Sequence, residues 1–241
     1  MKAWLRPHTS LGTIAWAYDW DWGLAEREYR RAVEINPNSP PVHGYYAFYL
    51  VSMGRNEEAI DQIQRAVELD PVSISMTQEV AFINLAAHRY DQAVLWSKRS
   101  LELDPRDLFA RALLVASLAL EGKRSEAIVE CQQIPREIFG PREQLVSAYA
   151  GFAYAVSGQP SEAKAILQRL QRNPEGRYTD PYLVAGIYAG MGDKDLAIRW
   201  LNRAYEQRSM SMAFLNVEPF FLSFHSDPRF SNLMWRMGWA S

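Results

Sequence analysis

The chain has 241 residues, 48% of them hydrophobic, with 26 basic and 28 acidic side chains and a formal net charge of −2. That is enough apolar material for a substantial core, while the interspersed, nearly balanced charge leaves no electrostatic footprint for nucleic acid or an anionic membrane. The single cysteine, Cys131, excludes an internal disulfide framework and reads as a buried small hydrophobe.

The N-terminal run Met-Lys-Ala-Trp-Leu-Arg-Pro-His has a cation but no apolar signal core. Nowhere does the chain reach the roughly 18 consecutive apolar residues of a membrane span, so the expectation is a soluble, cytoplasmic protein. Pro7 already opens a helical unit, so the chain reads as a piece of a longer protein. The run Asp19-Trp-Asp-Trp22 then precedes a second helix. Asp21 suits its N-cap and the tryptophans suit a cover over the open flank of the first unit, the competing reading being an aromatic docking site.

From here a period emerges. Ala25, Ala59, Ala93 and Ala127 recur every 34 residues and continue as Ala163 and Ala197. Pro37, Pro71 and Pro105 share the interval, each closing a charged amphipathic run such as Arg65-Ala-Val-Glu-Leu-Asp-Pro71. Two landmarks with one period of this length mark a stacked array in which no unit buries its apolar face alone.

The second unit shows the grammar. Pro41 to Met53 carries apolar residues at helical spacing, and Gly54 follows where a helix end takes a left-handed residue. Asn56 is the expected cap of the next helix, Glu57 and Glu58 favour its positive end, and Ala59, Ile63 and Ala66 form its buried stripe. Gly54, His88, Gly122, Gly158 and Gly192 mark successive turns, with Asp91, Ser125, Ser161 and Asp195 near the second-helix starts. Ile134-Pro135 shortens the fourth unit's second helix. The stretch from Pro135 to Pro141 widens the next spacing and is expected to alter the local superhelical twist.

This grammar resembles the tetratricopeptide repeat, carried here by Ala47 with Leu50, Gly151 with Tyr154 and Ala185 with Tyr188 in first helices. Ala25-x-x-x-Tyr29-x-x-Ala32 and Ala197-x-x-x-Leu201-x-x-Ala204 carry it in second helices. The resemblance implies an all-α, right-handed α-solenoid of six helix–turn–helix hairpins, at about residues 7–37, 38–71, 72–105, 106–140, 141–175 and 176–208. Residues 209–241 leave the register, are rich in Met and Phe, and start a short helix at Asp227-Pro228. They read as a C-terminal cap on the last repeats, with partner binding as the alternative. Together with the Asp-Trp-Asp-Trp run, the C-terminal pattern Ala204-Tyr-Glu-Gln-Arg208, Leu215-Asn-Val-Glu-Pro219 and Ser226-Asp-Pro-Arg-Phe230 is similar to the tetratricopeptide half of bacterial signalling and transcription regulators. The kinase, cyclase and winged-helix motifs of those proteins are not in this sequence.

No catalytic, cofactor or metal site is expected. His8, His43, His88 and His225 lie in different units without metal-ligand spacing, and no Gly-rich phosphate loop occurs. Carboxylate pairs such as Glu57 and Glu58 read as solvated helix starts. In the tetratricopeptide family the first helices line the concave face. Threading this chain puts Ile14 and Tyr18, Phe48 and Val51, Phe82 and Leu85, Phe109 and Ala116, Phe152 and Ala155, and Tyr182 on that face. Gln78 and Asn84 supply hydrogen-bonding groups there. These residues either fill space between helices or form an apolar groove for a protein or peptide partner. The lysines of the chaperone-tail clamp and the asparagine ladder of the glycosyltransferase arrays are missing from the threaded positions. The function so implied is a protein–protein interaction scaffold, a homodimer being compatible with it. The alternative is a ligand-sensing accessory domain of an enzyme, holding a small apolar ligand in the groove.

Overall fold

A computed structural model describes residues 5–135, 141–172 and 178–239. These form thirteen α-helices and no strand. Six hairpins follow in order: α1 (Leu5–Ile14) with α2 (Trp22–Ile35), α3 (Pro40–Ser52) with α4 (Asn56–Leu69), α5 (Ile74–Ala86) with α6 (Tyr90–Leu103), α7 (Leu108–Leu120) with α8 (Arg124–Cys131), α9 (Pro141–Val156) with α10 (Pro160–Arg172), and α11 (Pro181–Gly190) with α12 (Lys194–Glu206). A π-helical turn, Ala15–Asp19, extends α1. The widened stretch whose effect on twist was expected falls on residues 136–140, outside the described ones.

Each first helix packs on its own second helix, on the next first helix, and on the second helix of the preceding unit. Two rows result, an inner one of α1, α3, α5, α7, α9 and α11, and an outer one. The alanine period explains how the rows approach. Ala25, Ala59, Ala93, Ala127, Ala163 and Ala197 all have zero exposure, because each lies where a second helix meets its neighbours with no room for a larger side chain.

Turn chemistry follows the period with two changes. Gly54, Gly122, Gly158 and Gly192 have φ between 73° and 87°, and His88 takes the same left-handed backbone at 61°. Trp20, 34 residues before Gly54, is the first unit's counterpart at 57°. Asn56 is not a cap: α4 is preceded by Arg55, and the side-chain Oδ1 of Asn56 is buried without a partner. Aspartates cap several of the other helices. Asp21 accepts from the Leu24 N–H at 2.8 Å, Asp107 from Phe109 at 2.9 Å and Asp193 from Leu196 at 3.0 Å. α8 spans eight residues and ends before Ile134-Pro135.

After α12 the chain makes two 3-10 turns, Met210–Phe214 and Pro219–Phe224, and then α13 (Pro228–Arg236). This segment packs on the sixth unit and also runs back across the inner row. Against the sixth unit, Phe221 meets Tyr182 at 5.3 Å, Lys194 donates to the Ser223 carbonyl at 3.0 Å and Arg229 pairs with Asp195 at 2.7 Å. Against the fifth, Phe220 stacks on Phe152 at 3.7 Å. Phe214 reaches Phe82 of the third unit, Phe48 of the second and Trp16 of the first, at 5.1, 6.3 and 5.2 Å. The ends of the array also meet directly. Trp22 stacks on Trp239 at 4.7 Å and donates to the Met237 carbonyl at 3.0 Å, while Trp20 stacks on Tyr205 at 5.0 Å.

Candidate functional site

The inner row and the returning segment enclose a cavity of about 310 Å³. All six first-helix arms contribute: Thr13 and Trp16 from the first, Tyr45 and Phe48 from α3, Phe82 from α5, Phe109 from α7, Leu145, Ala148 and Tyr149 from α9, and Tyr182, Leu183 and Gly186 from α11. The C-terminal segment supplies Met210, Ser211, Phe214, Glu218 and Phe220. Helical periodicity accounts for the first set, since each residue lies on the inward stripe of its helix. Gly186 is needed for the second, because a Cβ there would stand 3.1 Å from the Phe220 ring.

The lining is apolar with few free polar groups. The Thr13 hydroxyl lies 3.0 Å from that of Tyr29, and Ser211 donates to Asp180 at 2.7 Å. Among the described residues Glu218 is the one ionisable carboxyl in the lining, and no lysine, arginine or histidine accompanies it. Burial pushes its carboxyl up to about 8, against the opposing pull of the Tyr182 hydroxyl and the Phe220 N–H. The Tyr182 hydroxyl is 3.4 Å from Glu218 Oε2. Burial, reinforced by that carboxyl, raises Tyr149 and Tyr182 well above the ordinary phenol value. The mouth is marked by Tyr45 and Met210, 45% and 50% exposed.

Of the residues threaded onto the inner face, Phe48, Phe82, Phe109 and Tyr182 meet in this cavity. Phe152 is beside it, covered by Phe220. Tyr18 is exposed outside it, its carbonyl accepting from Arg208 at 3.1 Å. Gln78 and Asn84 are spent within the scaffold. Gln78 donates to the Asp107 carboxylate, and Asn84 donates to the Val80 carbonyl at 2.8 Å while lining a separate hollow with Ile60 and Trp96. Val51, Leu85 and Ala116 are buried, and Ile14 is exposed. Glu218, Phe214 and Phe220 were absent from the threaded set, since they lie outside the repeat register.

Among the described residues no group of His, Cys, Asp and Glu side chains is placed to hold a metal, and no helix is long and apolar enough to cross a membrane. Cys131 is buried, and burial pushes its thiol up to about 12, away from nucleophilic readiness.

A tetratricopeptide-repeat family model matches residues 46–73, most of the second hairpin. No curated protein matches the chain. Among solved structures, a tetratricopeptide repeat protein from Parabacteroides merdae is similar at 15% identity, over 90% of this chain and 83% of that one, with a TM-score of 0.61. YrrB, a tetratricopeptide protein described as having an unusual peptide-binding site, aligns at 17% identity over 81% of this chain and 91% of its own, TM-score 0.46. The tetratricopeptide domain of P58(IPK) aligns at 13% identity, over 92% and 67%, TM-score 0.40. The last two scores are too low to argue from, and at such identities the first speaks for fold alone. The chain has an all-helical, tetratricopeptide-like repeat fold.

Proposed function

We propose that this chain is a non-catalytic protein-interaction scaffold, the regulatory or sensory part of a cytoplasmic bacterial signalling or transcription protein, which takes an apolar anchor of a peptide partner into the recess of its inner face. The observation that carries the reading is the convergence of all six first helices on one aromatic recess with an exposed mouth. Interface energy concentrates in buried aromatic and aliphatic anchors seated in such pockets. The path for a long extended peptide is reduced, because residues of the chain's own C-terminal segment already cover part of the inner row.

That same covering favours a second reading, a small apolar ligand held by an accessory domain, since a volume of about 310 Å³ lies at the lower end of small-molecule sites. Selection of a random peptide library on the full chain separates the two. The scaffold reading expects binders sharing an apolar anchor, with affinity falling at least about tenfold in Leu145→Trp, which fills part of the recess from a half-buried lining position. Binders that ignore this variant, or none at all, would contradict it.

A further inference from the structure

We infer that the recess is a binding site for an ammonium group on an apolar stem, which Glu218 pairs with and the surrounding aromatic rings enclose. The inference deepens the reading of the same site given above and rests on it. The geometry has three parts. Eight aromatic residues besides Tyr182 line the cavity, and the faces of their rings carry negative quadrupole density that attracts a cation. Among the described residues the only ionisable carboxyl in the lining is Glu218, 7% exposed, which has a long contact to the Tyr182 hydroxyl at 3.4 Å and the Phe220 N–H as a second donor. Among the described lining residues no lysine, arginine or histidine is there to neutralise it, so an anion would meet the ring faces and the acid with nothing in its favour.

A buried carboxyl this poorly partnered stays protonated at neutral pH, in keeping with its upward displacement. A protonated amine entering the recess changes that balance. It favours the carboxylate, the Glu218 proton leaves to solvent, and an ion pair forms where the neutral acid stood. The groups that face Glu218 are the phenols of Tyr182 on α11, Tyr149 on α9 and Tyr90 on α6, with His88 nearby, bonded to the Val217 carbonyl at 2.9 Å. The phenols are all raised and remain neutral, so Glu218 is the proton source. The space, equivalent to about ten waters at liquid density, accommodates an arylalkylamine but not a folded peptide.

The test is isothermal titration of the full chain with 2-phenylethylamine, 2-phenylethanol and 3-phenylpropionate at neutral pH. A capped peptide with one lysine between apolar residues is run alongside. The amine should bind at least about tenfold more tightly than the alcohol or the acid. Titration in buffers of different ionisation enthalpy should show release of up to about one proton per amine bound. Glu218→Gln, close in shape and free of the ionising group, should abolish the release and most of the preference. Leu145→Trp should weaken the amine without altering the fold, which keeps the test decisive if the Glu218 variant is poorly folded. Binding of either the free amine or the lysine peptide supports the site, and the tighter of the two identifies the carrier. Equal binding of amine and alcohol, no proton release, or binding of neither the free amine nor the lysine peptide would overturn the inference. If no amine binds while selected peptides still respond to Leu145→Trp, only this inference fails; if neither binds, the scaffold reading falls with it.

Discussion

Trp20, His88 and Arg208 hold left-handed backbone at φ 57°, 61° and 51° without being glycine, at a cost of about 1–2 kcal/mol each. Each side chain has a compensating contact. Trp20 stacks on Tyr205 and lies under the Arg208 guanidinium at 4.3 Å, and His88 bonds the Val217 carbonyl. Trp20→Gly should therefore lower stability by about 2–4 kcal/mol in denaturant unfolding, because loss of a buried tryptophan outweighs the relieved strain. An equal or higher stability would show that the stacking contributes nothing. Two carboxyls, Glu218 buried and Glu79 half-buried, set the pH response. Burial pushes Glu79 up to about 7 and Glu218 up to about 8. For a carboxyl raised in the folded state, the stabilising contribution is complete below the unfolded value and is lost as pH rises through the folded one. Stability should thus fall from about pH 5 toward pH 8, by at most about 1.4 kcal/mol per unit for each group. Glu218→Gln should flatten that slope in melts taken across the range. An unchanged slope would mean that Glu218 is ionised in the folded chain.

The second helices depend on their alanine stripe. Ala163 has no exposed surface, so Ala163→Arg should cost at least about 3 kcal/mol through overpacking and an unpaired buried charge, and an unaltered melting temperature would contradict the register. The C-terminal segment depends on its phenylalanines. Phe221 is fully buried between Tyr182, Phe224 and Phe230, and Phe221→Ala should cost about 3–5 kcal/mol by the same unfolding measurement. These helices were readable from the sequence because a solenoid unit touches only its neighbours, so one period of apolar, small and turn residues describes every hairpin. Asn56 was misread as a cap because Asn is a favoured cap type, whereas α4 starts one residue earlier and leaves that side chain inside the helix.

In the whole molecule, the segment after α12 ties the last units to the first and turns an open array into one with an enclosed recess. Periodicity could place Phe48, Phe82, Phe109 and Tyr182 on inward faces, but not Phe214, Glu218 and Phe220 among them. Those pairings span from 36 residues, Tyr182 to Glu218, to 198, Trp16 to Phe214, and follow no repeat, so nearest-neighbour logic is silent about them. One signal was present: Trp20 occupies the turn position that glycine takes 34 residues later, and a bulky aromatic there marks a side chain with a distant partner. The most direct measurement is amide hydrogen exchange, comparing the full chain with a truncation after Arg208. The structure predicts faster exchange both in α11 and α12 and at the far end of the array, in Ala15–Asp19 and the start of α2, with α4 changed least. If only α11 and α12 lose protection and the first unit exchanges as before, the segment serves the sixth unit alone and the array is not closed.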